Sequence, residues 1–238
     1  MTAQSNIFVG LAGYVGRPDE KGDVGIFRRS TSGGAWSHVL KDLETYTVHV
    51  HGADANIVLA GTQDGVYRST DGGASFTRTD FPDTKKQIWC FLVDNRDPKR
   101  IFAGGSPVDV YRSDDMGASW RKLPNPGVAD RCAGPFANRV MRMVQHPTRP
   151  NEIYAAVEIN GVYRTDNAGE SWTDVTKDLL RLSELPHLSS KIVTETFAEG
   201  MLDGHAITIS PADPDHVVLA CRMGLFGTRD KGQTWQDM

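Results

Sequence analysis

Short apolar runs recur along the chain, separated by polar or glycine-rich breaks. Ile57-Val58-Leu59-Ala60-Gly61, Ile101-Phe102-Ala103-Gly104-Gly105, Ile153-Tyr154-Ala155-Ala156-Val157 and Val217-Val218-Leu219-Ala220-Cys221 are alike in length and character. Each precedes a second run: Gly65-Val66-Tyr67-Arg68, Asp109-Val110-Tyr111-Arg112, Gly161-Val162-Tyr163-Arg164 and Gly224-Leu225-Phe226-Gly227. Each follows an earlier one, within 47–50, 88–93, 140–144 and 206–209. Runs this short, rich in β-branched and aromatic residues and bounded by Gly, Pro or Asp, predict strands rather than helices.

A fixed polar motif closes every unit. Ser69-Thr70-Asp71-Gly72-Gly73-Ala74-Ser75-Phe76 recurs as Ser113 to Trp120 and as Thr228 to Trp235. Thr165 to Trp172 carries Asn167 in place of the Asp, and Ser30 to Trp36 is one residue shorter with Ser32 there. The Asp can accept hydrogen bonds from backbone N–H groups further along its own turn, and the Gly can take a left-handed conformation. The aromatic then begins the next strand and packs inward. Four strands per unit, the last two joined by this hairpin, predict a propeller blade. A calcium loop needs several oxygen ligands at close spacing, whereas the motif repeats only one carboxylate.

The motif resembles the Asp-box, or BNR, repeat. Full units of this kind resemble the propellers of sialidases, xyloglucanase-type glycoside hydrolases, the sortilin ectodomain and the photosystem assembly factors. The resemblance implies an all-β β-propeller of four-stranded antiparallel blades with Asp-box hairpins, about five blades being present as part of a larger, seven-bladed ring. The blades fall at about 6–43, 45–82, 87–125, 139–178 and 204–238, with 179–203 as a lid-like insertion. Ile7 to Gly10 matches a second strand, so the first blade is expected to lack its innermost one. That would leave a strand edge uncovered and fits a piece of a longer protein. These families share a hairpin and differ in chemistry, so fold is specified more closely than function.

Composition narrows the partners. The chain has 238 residues, a net charge of −4 and 24 Gly. It has no basic footprint for nucleic acid and no run near the ~18–20 apolar residues of a membrane helix. The N-terminus lacks the basic and apolar regions of a signal peptide, and Cys90, Cys132 and Cys221 are too few and scattered for a disulfide framework. A reducing, cytoplasmic setting is expected, with Cys90 in the core and Cys132 in an accessible loop. No cofactor is implied. His49 and His51 share a strand face, but no third ligand appears at matched spacing, so no metal site is assigned.

Candidate chemistry lies on the face opposite the hairpins, where the variable loops fall. The segments 126–139 and 177–204 are the longest there. The second carries leucines at helical spacing over 178–185 before Pro186, and a further short helix is expected over 191–201. It reads as a lid over the mouth or as a site-forming loop. The acid and base groups of this face are Asp109, Asp130, Glu158, Glu195, Glu199, Asp203 and His205. Glycosidic hydrolysis needs two carboxylates facing each other roughly 5–10 Å apart. Glu158 and Asp203 come from loops of different blades, and His205 opens an inner strand. These three are the candidate acid–base residues, with solvated or structural roles as the alternative. Tyr14, Trp89, Arg131, Arg142 and Arg222 are the candidate substrate-binding residues, with Trp89 either a sugar platform or a core aromatic. The expected ligand is a carbohydrate or other small molecule, with a protein partner in the alternative reading of a non-catalytic binding or assembly scaffold.

Overall fold

A computed structural model describes residues 5–13, 22–132 and 137–238. The first blade holds β1 (Asn6–Leu11), β2 (Gly25–Ser30) and β3 (Ser37–Lys41). The second holds β4 (Thr45–Val50), β5 (Val58–Thr62), β6 (Gly65–Ser69) and β7 (Thr77–Arg78). The third holds β8 (Gln87–Val93), β9 (Ile101–Ser106), β10 (Val110–Ser113) and β11 (Arg121–Lys122). The fourth holds β12 (Val140–Gln145), β13 (Ile153–Val157), β14 (Gly161–Thr165) and β15 (Thr173–Asp174). Then come α1 (Lys177–Ser183) and α2 (Glu199–Leu202), before the fifth blade of β16 (Gly204–Ser210), β17 (Asp213–Cys221), β18 (Gly224–Thr228) and β19 (Gln236–Asp237). Every sheet is an antiparallel meander in chain order, with three strands described in the first blade and four in each of the others. This is an all-β partial propeller. No helix among the described residues is long and apolar enough to cross a membrane.

The core is a series of seams between blades. Leu59, Val66 and Phe81 meet Ile88, Ile101 and Trp120 across the second seam, and Phe102 and Val110 meet Val140, Ile153 and Tyr163 across the third. Tyr154, Val162 and Leu179 meet Ile207, Phe226 and Trp235 across the fourth. Each blade therefore buries its apolar faces only against its neighbours, as in other repeat architectures. Gly61 shows how closely the blades approach: a Cβ there would lie 2.6 Å from the carbonyl oxygen of Ile88.

The hairpins are fastened by side chains. Asp115 accepts from the N–H groups of Ala118 (3.0 Å) and Ser119 (2.9 Å) and from the hydroxyls of Ser113 (2.7 Å) and Ser119 (2.6 Å). Asp71 repeats the pattern, and Asp230 repeats most of it. The leading hydroxyl is as important as the carboxylate: Ser113 Oγ is buried and accepts the N–H of Gly117 at 2.8 Å. The turn uses two successive left-handed residues, Met116 (φ 58°) and Gly117 (φ 81°), where the sequence suggested one.

Three expectations are corrected. Trp36 is 42% exposed, lying 4.9 Å from the Arg29 guanidinium, rather than packed inward. Motif aromatics pack toward the preceding blade, as Trp235 does through its Nε1–H bond to the carbonyl of Val175, and no described blade stands on that side of the first. Cys132 is buried with Ile159, Ala198 and Leu202, not accessible. The helix expected over 191–201 shrinks to Glu199–Leu202 because the buried Glu199 carboxylate ties up the N–H groups of Ile192, Val193 and Thr194 in a tight loop.

Candidate functional site

The inner strands β4, β8, β12 and β16 share an irregularity. Pairing with the second strand skips one residue in each: Tyr46, Trp89, Met141 and His205. A β-bulge re-aims its extra side chain and bends the strand, and bulges gather beside functional sites. The residue paired immediately after each bulge is small: Gly61, Gly104, Ala156 and Ala220. That recurring small residue is the sequence signal that identifies Tyr46 and Met141 as counterparts of Trp89 and His205.

Glu158 follows β13 directly. Its N–H donates to the Arg139 carbonyl at 3.0 Å, and its carboxylate forms an ion pair with Arg139 Nε. The next residue, Ile159, sits at φ 50°, a costly conformation for a β-branched side chain. Its side chain is held among Cys132, Ala198 and Leu202, so α2 packs down on the turn that presents Glu158. Asp203 ends α2 and precedes β16. Its carboxylate is 5% exposed and receives Arg222 Nε on one oxygen and faces His205 Nε2 across the other, each at 3.1 Å.

These elements bring Glu158, Asp203 and His205 together, with one oxygen or nitrogen of each within 4.8 Å of the others. Burial pushes the Glu158 carboxyl above its ordinary range; Arg139 opposes this, Asp203 adds to it and His205 opposes it. The group thus sets a carboxyl raised by burial beside a second one, each paired with an arginine. The same three side chains have the spacing of a cation site. However, an arginine already balances each carboxylate, so a divalent ion would bring unneeded charge into a half-buried place.

The other candidates divide. Arg222 stays half exposed at the rim while bracing Asp203. Arg142 is exposed on β12. Arg131 is held within the chain: it donates to the carbonyl and side-chain oxygens of Asn160 and to the Tyr163 hydroxyl, and pairs with Asp174. Trp89 does not offer an open face. Tyr46 stacks on it with centroids 4.3 Å apart, and the Arg139 guanidinium lies 4.2 Å from its ring centre. Tyr14 lies outside the described residues. Of the remaining acids, Asp109 pairs with Lys86 and Lys122, and Glu195 with Lys191. His51 is turned to Pro98 through Nε2 and accepts the Ala53 N–H at Nδ1, leaving no nitrogen for a shared site with His49. Beside Arg139 a cavity of about 230 Å³ opens among Lys85, Gln87, Ser106, Pro107 and Ala137.

Comparison with known proteins adds a family. Residues 64–184 match the Sortilin-Vps10 model, described as sortilin, neurotensin receptor 3. A xyloglucanase from Paenibacillus sp is 24% identical over 207 residues, covering 76% of this chain and 18% of the xyloglucanase. Among solved structures, an ancestral GH74 enzyme superposes with a TM-score of 0.65 at 19% identity, over 96% of this chain and 31% of its own. YCF48 from Cyanidioschyzon merolae superposes with a TM-score of 0.55 at 15% identity, over 85% of this chain and 59% of its own. The chain thus spans less than a fifth of the xyloglucanase, and these structural likenesses, at such identities, carry the propeller fold alone.

Proposed function

The chain belongs to the Sortilin-Vps10 family of propellers, and from that premise we propose that it is a glycoside-hydrolase-like member acting on a carbohydrate through the face opposite its hairpins. The observation that carries this reading is the meeting of Glu158 and Asp203 within 4.8 Å across two blades. Two carboxyl groups with different environments are what acid–base cleavage of a glycosidic bond requires. Glu158 supplies the proton to the leaving oxygen. Asp203 faces the sugar opposite it. His205 orients Asp203, and Arg222, Arg142 and the edge of the Tyr46–Trp89 stack bind hydroxyl groups or ring faces. The xyloglucanase relative favours xyloglucan as ligand.

The second reading, a non-catalytic binding or assembly scaffold, draws on the YCF48 likeness. In that case the same mouth holds a ligand without cleaving it. The described residues contain three free cysteines, in keeping with a reducing, cytoplasmic setting. The domain limits follow the blades, with 179–203 as a lid whose α2 end braces the site.

A panel of aryl β-glycosides, with xyloglucan oligosaccharides as binding probes, tests the reading. Turnover abolished by Glu158→Gln supports the enzyme. Oligosaccharide binding without any turnover supports the scaffold.

A further inference from the structure

The first hairpin departs from the others, and the departure leaves positive charge uncovered. In the second, third and fourth blades the arginine near the end of the third strand is occupied. Arg68 donates its Nε–H to the Met116 carbonyl at 2.9 Å, Arg112 pairs with Asp114, and Arg164 pairs with Asp166. The first blade has two arginines there, Arg28 and Arg29. The Nε of each is buried without a hydrogen-bond partner, and among the described residues neither guanidinium pairs with a carboxylate.

The turn that follows is short of acceptors. In the third hairpin Asp115 takes the N–H groups of Ala118 and Ser119. In the first, Ser32 stands at the Asp position, and its hydroxyl is engaged with Ser30 Oγ at 2.7 Å. The Ala35 N–H has no acceptor among the described residues. Gly33 and Gly34 sit at φ 103° and 100°, and a Cβ built on either meets nothing within 4 Å. A cavity of about 220 Å³ opens here, with Arg28, Arg29, Asn6, Gly33 and Ala35 in its walls and no acidic residue among them. A cation withdrawn from water without a counterion is costly. Guanidinium forks beside a free backbone N–H are what an oxyanion takes as donors.

We infer that the first hairpin is a binding site for a phosphate or sulfate group, which takes the place that the Asp carboxylate fills in the second, third and fifth hairpins. The site lies on the hairpin face and does not rest on the hydrolase reading. Two unpaired guanidinium groups match a dianion better than a single carboxylate, and a phosphate ester carries about −1.5 to −2 at pH 7. Trp36 lies 4.9 Å from the Arg29 guanidinium and covers one of its flat sides, which leaves the N–H edge for an acceptor. The glycines keep the approach clear of side chains. Trp36 is 42% exposed and offers an aromatic face to whatever carries the group. No bond is made or broken at this site.

Titration calorimetry of the whole chain at low ionic strength tests the inference, with sodium phosphate, sodium sulfate, glucose 6-phosphate and glucose 6-sulfate as probes. Binding should saturate, weaken with added salt, and shift the amide resonances of Gly33, Gly34 and Ala35. Ser32→Asp supplies a carboxylate from within the turn and should weaken binding about tenfold or more, as should Arg29→Gln, which removes charged donors. Arg29→Gln can disturb β2; Ser32 is exposed, so Ser32→Asp should keep its thermal midpoint and still lose binding. The probes separate the sources. A phosphate ester takes up a proton near pH 6, so its affinity should fall between about pH 7 and pH 5, whereas a sulfate ester keeps its charge. Tighter binding of the sugar esters than of the free ions assigns the group to a carbohydrate, and equal binding assigns the free ion. No saturable binding of any of the four probes, or binding unchanged in both variants, overturns the site.

Discussion

On the hairpin face, Asp71, Asp115 and Asp230 take their hydrogen bonds from residues of their own turns, none more than four positions away. On the mouth face, Glu158 pairs with Arg139, which precedes β12 of its own blade, and stands beside Asp203 of the next blade. The two settings move the same chemical group in opposite directions. Hydrogen bonds from Ser75 and Ser69 hold the Asp71 carboxyl well below its ordinary range; for Asp115 burial pushes upward, but the bonds from Ser119 and Ser113 outweigh it. At Glu158 burial wins and the carboxyl is raised. A local turn can satisfy a carboxylate with donors that travel with it in sequence. A site assembled from several blades has to leave its group partly unsatisfied, and this is where acid–base chemistry becomes available.

The largest expected effect separates the two faces by function. Glu158→Gln should reduce glycoside turnover by about 10²–10⁴-fold, the usual contribution of a general acid, with the thermal midpoint at neutral pH unchanged or slightly raised. Asp115→Ala should do the reverse. It leaves the N–H groups of Ala118 and Ser119 without their acceptor and should lower stability by roughly 1 kcal/mol, about 2–4 °C for a chain of this size, with turnover per folded molecule unaltered. Steady-state kinetics and calorimetry on the two variants measure both quantities. A Glu158→Gln protein that melts several degrees lower while keeping its rate would reverse the assignment.

A smaller effect appears along the pH axis. For Asp71 the folded-state pKa lies below the unfolded one, near 3.9. Its contribution is therefore present above that value and is lost as pH falls through the folded value. For Glu158 the folded pKa lies above the unfolded value of about 4.3. Its contribution is largest below that value and declines as pH rises through the folded one. Midpoints recorded from pH 3 to pH 7 should show Asp71→Asn narrowing the loss on the acid side. Glu158→Gln should narrow the loss on the approach to neutrality. Parallel curves for both variants would mean that the two carboxyl groups do not differ.

The blades were legible in the sequence because they are local. Strand length, hairpin and aromatic recur within each unit, and β1 is a second strand as its match to the repeat suggested. The convergence of Glu158, Asp203 and His205 followed from topology, since two loops on the same face of adjacent blades must lie near each other. The rest depended on contacts distant in sequence. Arg131 looked available until Asn160 and Asp174, far along the chain, were seen to hold it. Trp89 looked like a platform until Tyr46 and Arg139 covered its two sides. The bulges left a trace, a small residue in each second strand, but small residues have many causes and only pairing register distinguishes this one.

The smallest expected effect tests whether the hairpins are equivalent. The fourth turn carries Asn167, whose side-chain oxygen accepts the Ser171 N–H at 2.9 Å, while its amide donates to Ser171 Oγ at 2.9 Å. In the second, third and fifth turns the corresponding hydroxyl donates to a carboxylate, as Ser119 does to Asp115 at 2.6 Å. Hydrogen bonds to an ionised acceptor are roughly twice as strong as neutral ones, and exposure of the turn reduces the difference. Asn167→Asp should therefore raise stability by about 0.5 kcal/mol, or 1–2 °C. The neighbouring Asp166 is a like charge, but it is paired with Arg164, just as Asp114 beside Asp115 is paired with Arg112. The gain should be present at pH 7 and vanish as pH falls below about 4, where the new carboxylate takes up its proton. A lower midpoint for Asn167→Asp at neutral pH would show that the fourth turn depends on the amide donor, and that the hairpins are not interchangeable.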